Sequence, residues 1–93
     1  MDLQHFPIRE KEVRAYRVDG KTILFRYLDR YQTNEVGGFI VARCDARHTV
    51  DDIVLSLMER YEIDRERALG AVTGFLRDMR AKGFLRLTDK NEA

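Results

Sequence analysis

The apolar residues of this chain change period once. As far as Tyr27 they alternate along the backbone, and beyond Asn34 they return every third or fourth position. A switch from period two to period 3.6 predicts strands first and helices afterwards. Val13 to Tyr27 holds two runs rich in β-branched and aromatic residues on either side of Asp19-Gly20, the pair that a two-residue type I′ turn prefers. In the second run Ile23, Phe25 and Tyr27 point one way, and Thr22, Leu24 and Arg26 the other, the pattern of a sheet with one face on a core. Arg30 to Thr33 extends the meander as a third strand after Leu28-Asp29. Three strands are a minimum for a sheet, so its apolar face needs a cover.

The rest of the chain supplies that cover. Asn34 is a good N-cap for a helix over Glu35 to Cys44, with Val36, Ile40, Arg43 and Cys44 on one face. Gly37-Gly38 work against it, each costing about 1 kcal/mol relative to Ala, and Phe39 to Ala42 taken alone also suits a buried strand. Thr49 and Asp52 make a capping-box-like start for a second helix, whose stripe is Val50, Ile53, Val54, Leu57, Met58 and Tyr61. Asp64 caps a third helix that runs to about Lys82, with Gly83 as its stop and Phe84 to Leu87 as a short closing strand. The order predicts an α+β fold, a three-stranded antiparallel sheet followed by three helices. It occupies one domain over residues 13–87, with a loose arm over 1–12 and a charged, frayed tail over 88–93.

Composition narrows the function classes. Lys and Arg number 17 against 16 Asp and Glu, a formal charge of +1 that leaves little bulk attraction for nucleic acid or anionic lipid. The single Cys44 closes no intrachain disulfide, so packing alone must hold the 93 residues, and a reducing compartment is expected. The longest apolar run, Phe39 to Ala42, falls far short of the ~20 residues that span a bilayer. The N-terminal residues lack the charged-then-apolar pattern of a signal peptide, which makes the cytoplasm the expected location.

No catalytic constellation emerges. His5 and His48 are the only imidazoles, and the C-x3-H spacing of Cys44 and His48 offers two ligands where zinc needs four, or three with water. Asp51-Asp52 suit a helix N-terminus, whose dipole favours negative charge. No G-x-G-x-x-G or P-loop is present. Neither a metal site nor a cofactor is expected. Duplex binding is the runner-up, since a small sheet with three helices is the layout of a winged helix-turn-helix. A reading helix presents several cations on one face. In the third helix Arg65, Arg67, Arg77, Arg80 and Lys82 scatter, with Glu66 and Asp78 among them.

The third helix carries one further oddity. Leu69, Val72, Leu76 and Met79 form an apolar band, which Ala68, Ala71 and Phe75 widen to nearly half the cylinder. On the polar side Gly70 and Gly74 are stacked one turn apart, giving up about 2 kcal/mol of helix propensity. They are either tolerated exposed glycines or a notch where another backbone comes close.

In Gln32-Thr33-Asn34-Glu35, then Cys44-Asp45-Ala46-Arg47-His48-Thr49-Val50-Asp51-Asp52-Ile53-Val54, the chain resembles the PqqD family of peptide-binding proteins, the RiPP recognition elements. The third helix continues the resemblance with Val72-Thr73-Gly74-Phe75-Leu76-Arg77-Asp78-Met79 and Gly83-Phe84-Leu85. Two departures stand out: Ala46 replaces a glycine, and Tyr27-Leu28-Asp29-Arg30-Tyr31 replaces the Pro-Glu-Gly turn of the pyrroloquinoline quinone (PQQ) pathway's own member. Both argue for a relative serving another peptide pathway, and they leave PQQ biosynthesis open as the alternative. The resemblance implies a winged helix-turn-helix-like, noncatalytic peptide chaperone. It would bind the leader of a ribosomally made precursor peptide and present it to a radical SAM or other peptide-modifying enzyme. The peptide would add as a strand beside Arg30, Tyr31, Gln32 and Thr33, against Arg67, Ala71, Gly74, Phe75 and Asp78 of the third helix. Tyr31 would wall the site, and Phe75 would either line a pocket there or fill the core.

Overall fold

Asp19 and Gly20 both adopt positive φ, 52° and 77°, the two left-handed residues of a type I′ turn. Around this turn the computed structural model, which describes residues 1–91, builds five strands and three helices. In chain order these are β1 (Phe6–Arg9), β2 (Val13–Val18), β3 (Lys21–Arg26), β4 (Asp29–Gln32), α1 (Glu35–Val41), α2 (Val50–Tyr61), α3 (Arg65–Ala81) and β5 (Leu85–Thr88). β2, β3 and β4 form the expected antiparallel meander. Val18 faces Lys21 across the first turn, and Arg26 faces Asp29 across a second two-residue turn, Tyr27-Leu28. The sheet and three helices confirm the α+β class.

Leu24 marks the covered face of the sheet, being fully buried along with Val13 and beside half-buried Tyr31. Ile23 and Phe25 lie on the opposite face, where Phe25 meets Tyr16 edge-on at 5.8 Å between ring centroids. α1 packs over β3 with Ile40 and Val41 buried. Asn34 caps it, its side-chain oxygen accepting the Gly37 N–H at 2.8 Å. Gly37 is there because nothing larger fits: a Cβ would stand 2.8 Å from Phe75 Cε1 and 2.9 Å from Thr33 Cβ. The helix stops at Val41, short of the expected Cys44.

α2 begins with a complete capping box, Asp52 N–H to Thr49 Oγ1 and Thr49 N–H to Asp52 Oδ2, both 3.0 Å. It packs on α3, with Ile53, Val54 and Leu57 buried on one and Ala68, Val72, Leu76 and Met79 on the other. Each such Val, Leu, Ile or Met side chain contributes roughly 1.5–3 kcal/mol, and Ala68 less. Gly83, at φ 81°, turns the chain out of α3 into β5.

The segment expected as a loose arm is instead built into the domain. β1 pairs antiparallel with β5, from Phe6 opposite Thr88 to Arg9 opposite Leu85. Just before it, the Leu3 and His5 carbonyls accept the Asp51 and Val50 N–H groups, each at 2.9 Å. These are first-turn donors of α2 that have no partner within their own helix, so the arm completes the helix end. The tail also starts later than expected: Thr88 closes β5, and residues 92 and 93 lie outside the described residues. Among the described residues no helix is long and apolar enough to cross a membrane.

Candidate functional site

Hydrogen-bond parity decides what β4 offers to a partner. Thr33 N–H donates to the Thr22 carbonyl at 2.8 Å, so Thr22 and Thr33 are a bonded pair. In an antiparallel ladder bonded pairs alternate with unbonded ones. Leu24–Tyr31 and Arg26–Asp29 are therefore bonded, while Ile23–Gln32 and Phe25–Arg30 are not. The N–H and C=O groups of Arg30 and Gln32 point away from β3, along the outer edge of the sheet, and no hydrogen bond occupies them among the described residues.

That edge borders a cleft. Tyr31, on the core side of β4, stands 6.4 Å from Phe84 between ring centroids, and Lys82 Nζ lies 5.5 Å from the Tyr31 ring. With Asp29 and Arg30 these residues line a hollow of about 340 Å³. Farther along, the Phe75 ring packs against Gly37, next to where β4 ends. Asp78 holds Lys82 in an ion pair one helical turn away.

The residues expected at the site divide into three groups. Arg30 and Gln32 are exposed on the outer edge, and Tyr31 lines the cleft. On α3, Arg67, Ala71, Gly74 and Asp78 form one exposed strip, spaced for a single helix face that also includes Phe75 and Lys82. Arg67 sits at its far end, 3.9 Å from Asp64. A Cβ at Gly74 would meet nothing within 4 Å, so internal packing does not account for that glycine.

Thr33 and Phe75 differ. Thr33 is 3% exposed, and both its N–H and its Oγ1 are committed to the Thr22 carbonyl. These bonds anchor β4 to β3. Phe75 is half-buried, packing against the core and beside Gly37, and it is not among the residues that line the hollow. Lys82 and Phe84 were not anticipated. Their signal is Gly83, whose left-handed turn folds Phe84 back beside Tyr31.

The remaining titratable groups of note lie elsewhere. Burial, helped by the Asp45 charge, pushes the Cys44 thiol up to about 12, and its Sγ donates to the Ile40 carbonyl at 3.3 Å. Burial also raises the Asp45 carboxyl, but the Arg47 N–H and His48 outweigh it and hold the group below its ordinary value. Among the described residues no group of three His, Cys, Asp or Glu side chains is placed to hold a metal ion.

Comparison with solved structures finds the same fold in a chain described as "TbiB1 in Complex with the TbiA(beta) Leader Peptide". The TM-score is 0.79 at 20% identity, covering 85% of this chain and 94% of that one. No curated protein matches the sequence. The sequence model of the family described as "Coenzyme PQQ synthesis protein D (PqqD)" matches residues 21–85, from the start of β3 to the start of β5, and the chain belongs to the PqqD family.

Proposed function

We propose that this protein is a noncatalytic peptide chaperone. It binds the leader of a ribosomally made precursor peptide as an added strand on β4 and presents it to a radical SAM or other peptide-modifying enzyme. The observation that carries this reading is the outward parity of Arg30 and Gln32 beside the wall of α3. Free main-chain groups bind an extended chain of any sequence, and the Tyr31–Phe84–Lys82 hollow then selects among side chains at alternate positions. The match of 65 residues to the PqqD family supports the reading, as does a shared fold with a chain solved around a leader peptide. An added strand would lie against Ala71 and Gly74, the smallest residues of the exposed α3 strip, where a backbone can approach closely.

The winged-helix alternative is not favoured. Base reading uses the N-terminal end of the recognition helix. There Arg65 is held by Asp51 at 2.6 Å, and Arg67 lies beside Asp64.

The test is a titration of isotope-labelled protein with the precursor peptide encoded beside its gene. Amide shifts should concentrate at residues 29–32 and along residues 71–82. Shifts confined to the Asp19-Gly20 turn, or produced by duplex DNA instead, would overturn the reading.

A further inference from the structure

The sheet has a second open edge. Val18–Lys21, Tyr16–Ile23 and Arg14–Phe25 are the bonded pairs of β2 and β3, because the hairpin closes on a two-residue turn. The N–H and C=O groups of Ala15 and Arg17 consequently face outward, and no backbone bond occupies them among the described residues. Val13 N–H is spoken for by the Glu10 carbonyl at 3.1 Å, which limits the open stretch to about one bonding repeat on either side of Tyr16.

A groove of about 560 Å³ runs along this edge, larger than the hollow beside β4. Gly38 of α1 and its C-cap Ala42 form the far wall, and the Thr22 side chain packs against Gly38 at the floor. Its charge is one-sided. Arg9, Lys11, Arg14 and Arg17 line it, and none of the four has an acidic partner among the described residues. The two acids at the rim are already engaged: Glu10 with Arg86 at 3.0 Å and Asp45 with His48 at 3.0 Å. In a chain whose formal charge is only +1, such a cluster is a local field rather than a share of a general excess.

We infer that the β2 edge is a second docking site, for an extended acidic segment of another polypeptide. Open main-chain groups select a strand, and the four unpaired cations select its charge. The phosphates of a nucleic-acid strand would meet the cations and could accept from the Ala15 and Arg17 N–H groups, but they carry no donor for the two outward carbonyls, which favours a peptide. The site lies on the opposite edge of the sheet from β4 and does not depend on the leader-peptide reading. Two extended chains, one on each edge, can be held at once.

The probe is a short synthetic peptide of Glu alternating with Val, with its Lys–Val counterpart and a short DNA duplex as comparisons. The acidic peptide should shift amides at residues 9–11 and 13–18 while leaving 29–32 in place, and its binding should weaken severalfold between about 50 and 300 mM salt. Arg17→Glu should lower the affinity about tenfold or more, and the Lys–Val peptide should bind neither protein. Ala15→Pro removes an outward N–H without touching the ladder to β3, and should lose binding while circular dichroism stays native. Precursor-leader binding at β4 should survive both substitutions, so the two sites fail separately. An edge merely guarded by its charges would bind none of the three probes. That result, acidic-peptide shifts only at β4, or shifts at β2 from duplex alone would each overturn the inference.

Discussion

Thr33 gives both of its donors to one oxygen: its backbone N–H reaches the Thr22 carbonyl at 2.8 Å and its Oγ1 reaches the same atom at 3.1 Å. This pair of hydrogen bonds pins the end of β4 in the parity that the Tyr27-Leu28 turn sets. Proline at neighbouring positions should therefore have opposite effects. Thr33→Pro removes both bonds in a buried place and is expected to cost about 3 kcal/mol, read by urea unfolding. Gln32→Pro removes only an outward N–H. It should leave stability within about 0.5 kcal/mol while lowering leader-peptide affinity about tenfold in a titration. Unchanged affinity in folded Gln32→Pro would exclude β4 as the dock.

The helical glycines sort by what a methyl group would meet. At Gly37 it would press on Thr33 Cβ and the Phe75 ring, so Gly37→Ala should destabilise by about 1–2 kcal/mol despite its better helix propensity. At Gly70 and Gly74 it would meet nothing, and each Ala variant should gain about 1 kcal/mol in thermal or chemical unfolding. Only Gly74 shares the face of Ala71 and Asp78. Gly74→Ala should therefore lower leader affinity severalfold and Gly70→Ala should leave it unchanged. Equal affinities would show that no guest backbone approaches the helix at Gly74.

Local signals were legible in the sequence; distant ones were not. The Asp19-Gly20 turn, the Asn34 and Asp64 caps and the Thr49–Asp52 box each depend on a few adjacent residues, and each appears as expected. The β1–β5 pairing joins Phe6 to Thr88, and a four-residue strand containing Pro7 and Arg9 carries no alternation to announce it. At the site, a third strand expected to begin at Arg30 begins at Asp29, because Tyr27 takes a positive φ of 55° and closes a two-residue turn. That tight turn fixes which residues face outward. It leaves Arg30 and Gln32 on the edge and turns Thr33 inward, a distinction that residue type alone does not contain.

Glu62 ends α2 in the left-handed region at φ 52°, a conformation that costs a residue with a Cβ roughly 1–2 kcal/mol. Its side chain is exposed, so nothing buried is lost by removing it. Glu62→Gly should raise stability by about 0.5–1 kcal/mol after the added freedom of the unfolded chain is counted. A midpoint in urea no higher than that of the parent would show that Glu62 makes a compensating interaction.

Cys44 makes stability depend on alkaline pH in a direction that can be worked out. Its thiol is buried and its proton is held up to about 12, against an ordinary value of 9.0. Below pH 9 both folded and unfolded chains keep the proton, and the thiol contributes no slope. Above it the unfolded chain releases the proton and the folded one does not, so stability falls by about 1.4 kcal/mol per pH unit until the folded thiol titrates. Tyr and Lys side chains titrate in the same range, which makes the comparison with Cys44→Ala the useful one. Between pH 8 and 10.5 the parent should lose about 2 kcal/mol more than the variant in urea unfolding, whatever the variant's offset from its smaller side chain. Thiol alkylation should follow the same logic, proceeding at the rate of global opening in the native protein and rapidly in urea. Parallel pH profiles for the two proteins, or fast labelling under native conditions, would mean that the thiolate is accessible in the fold.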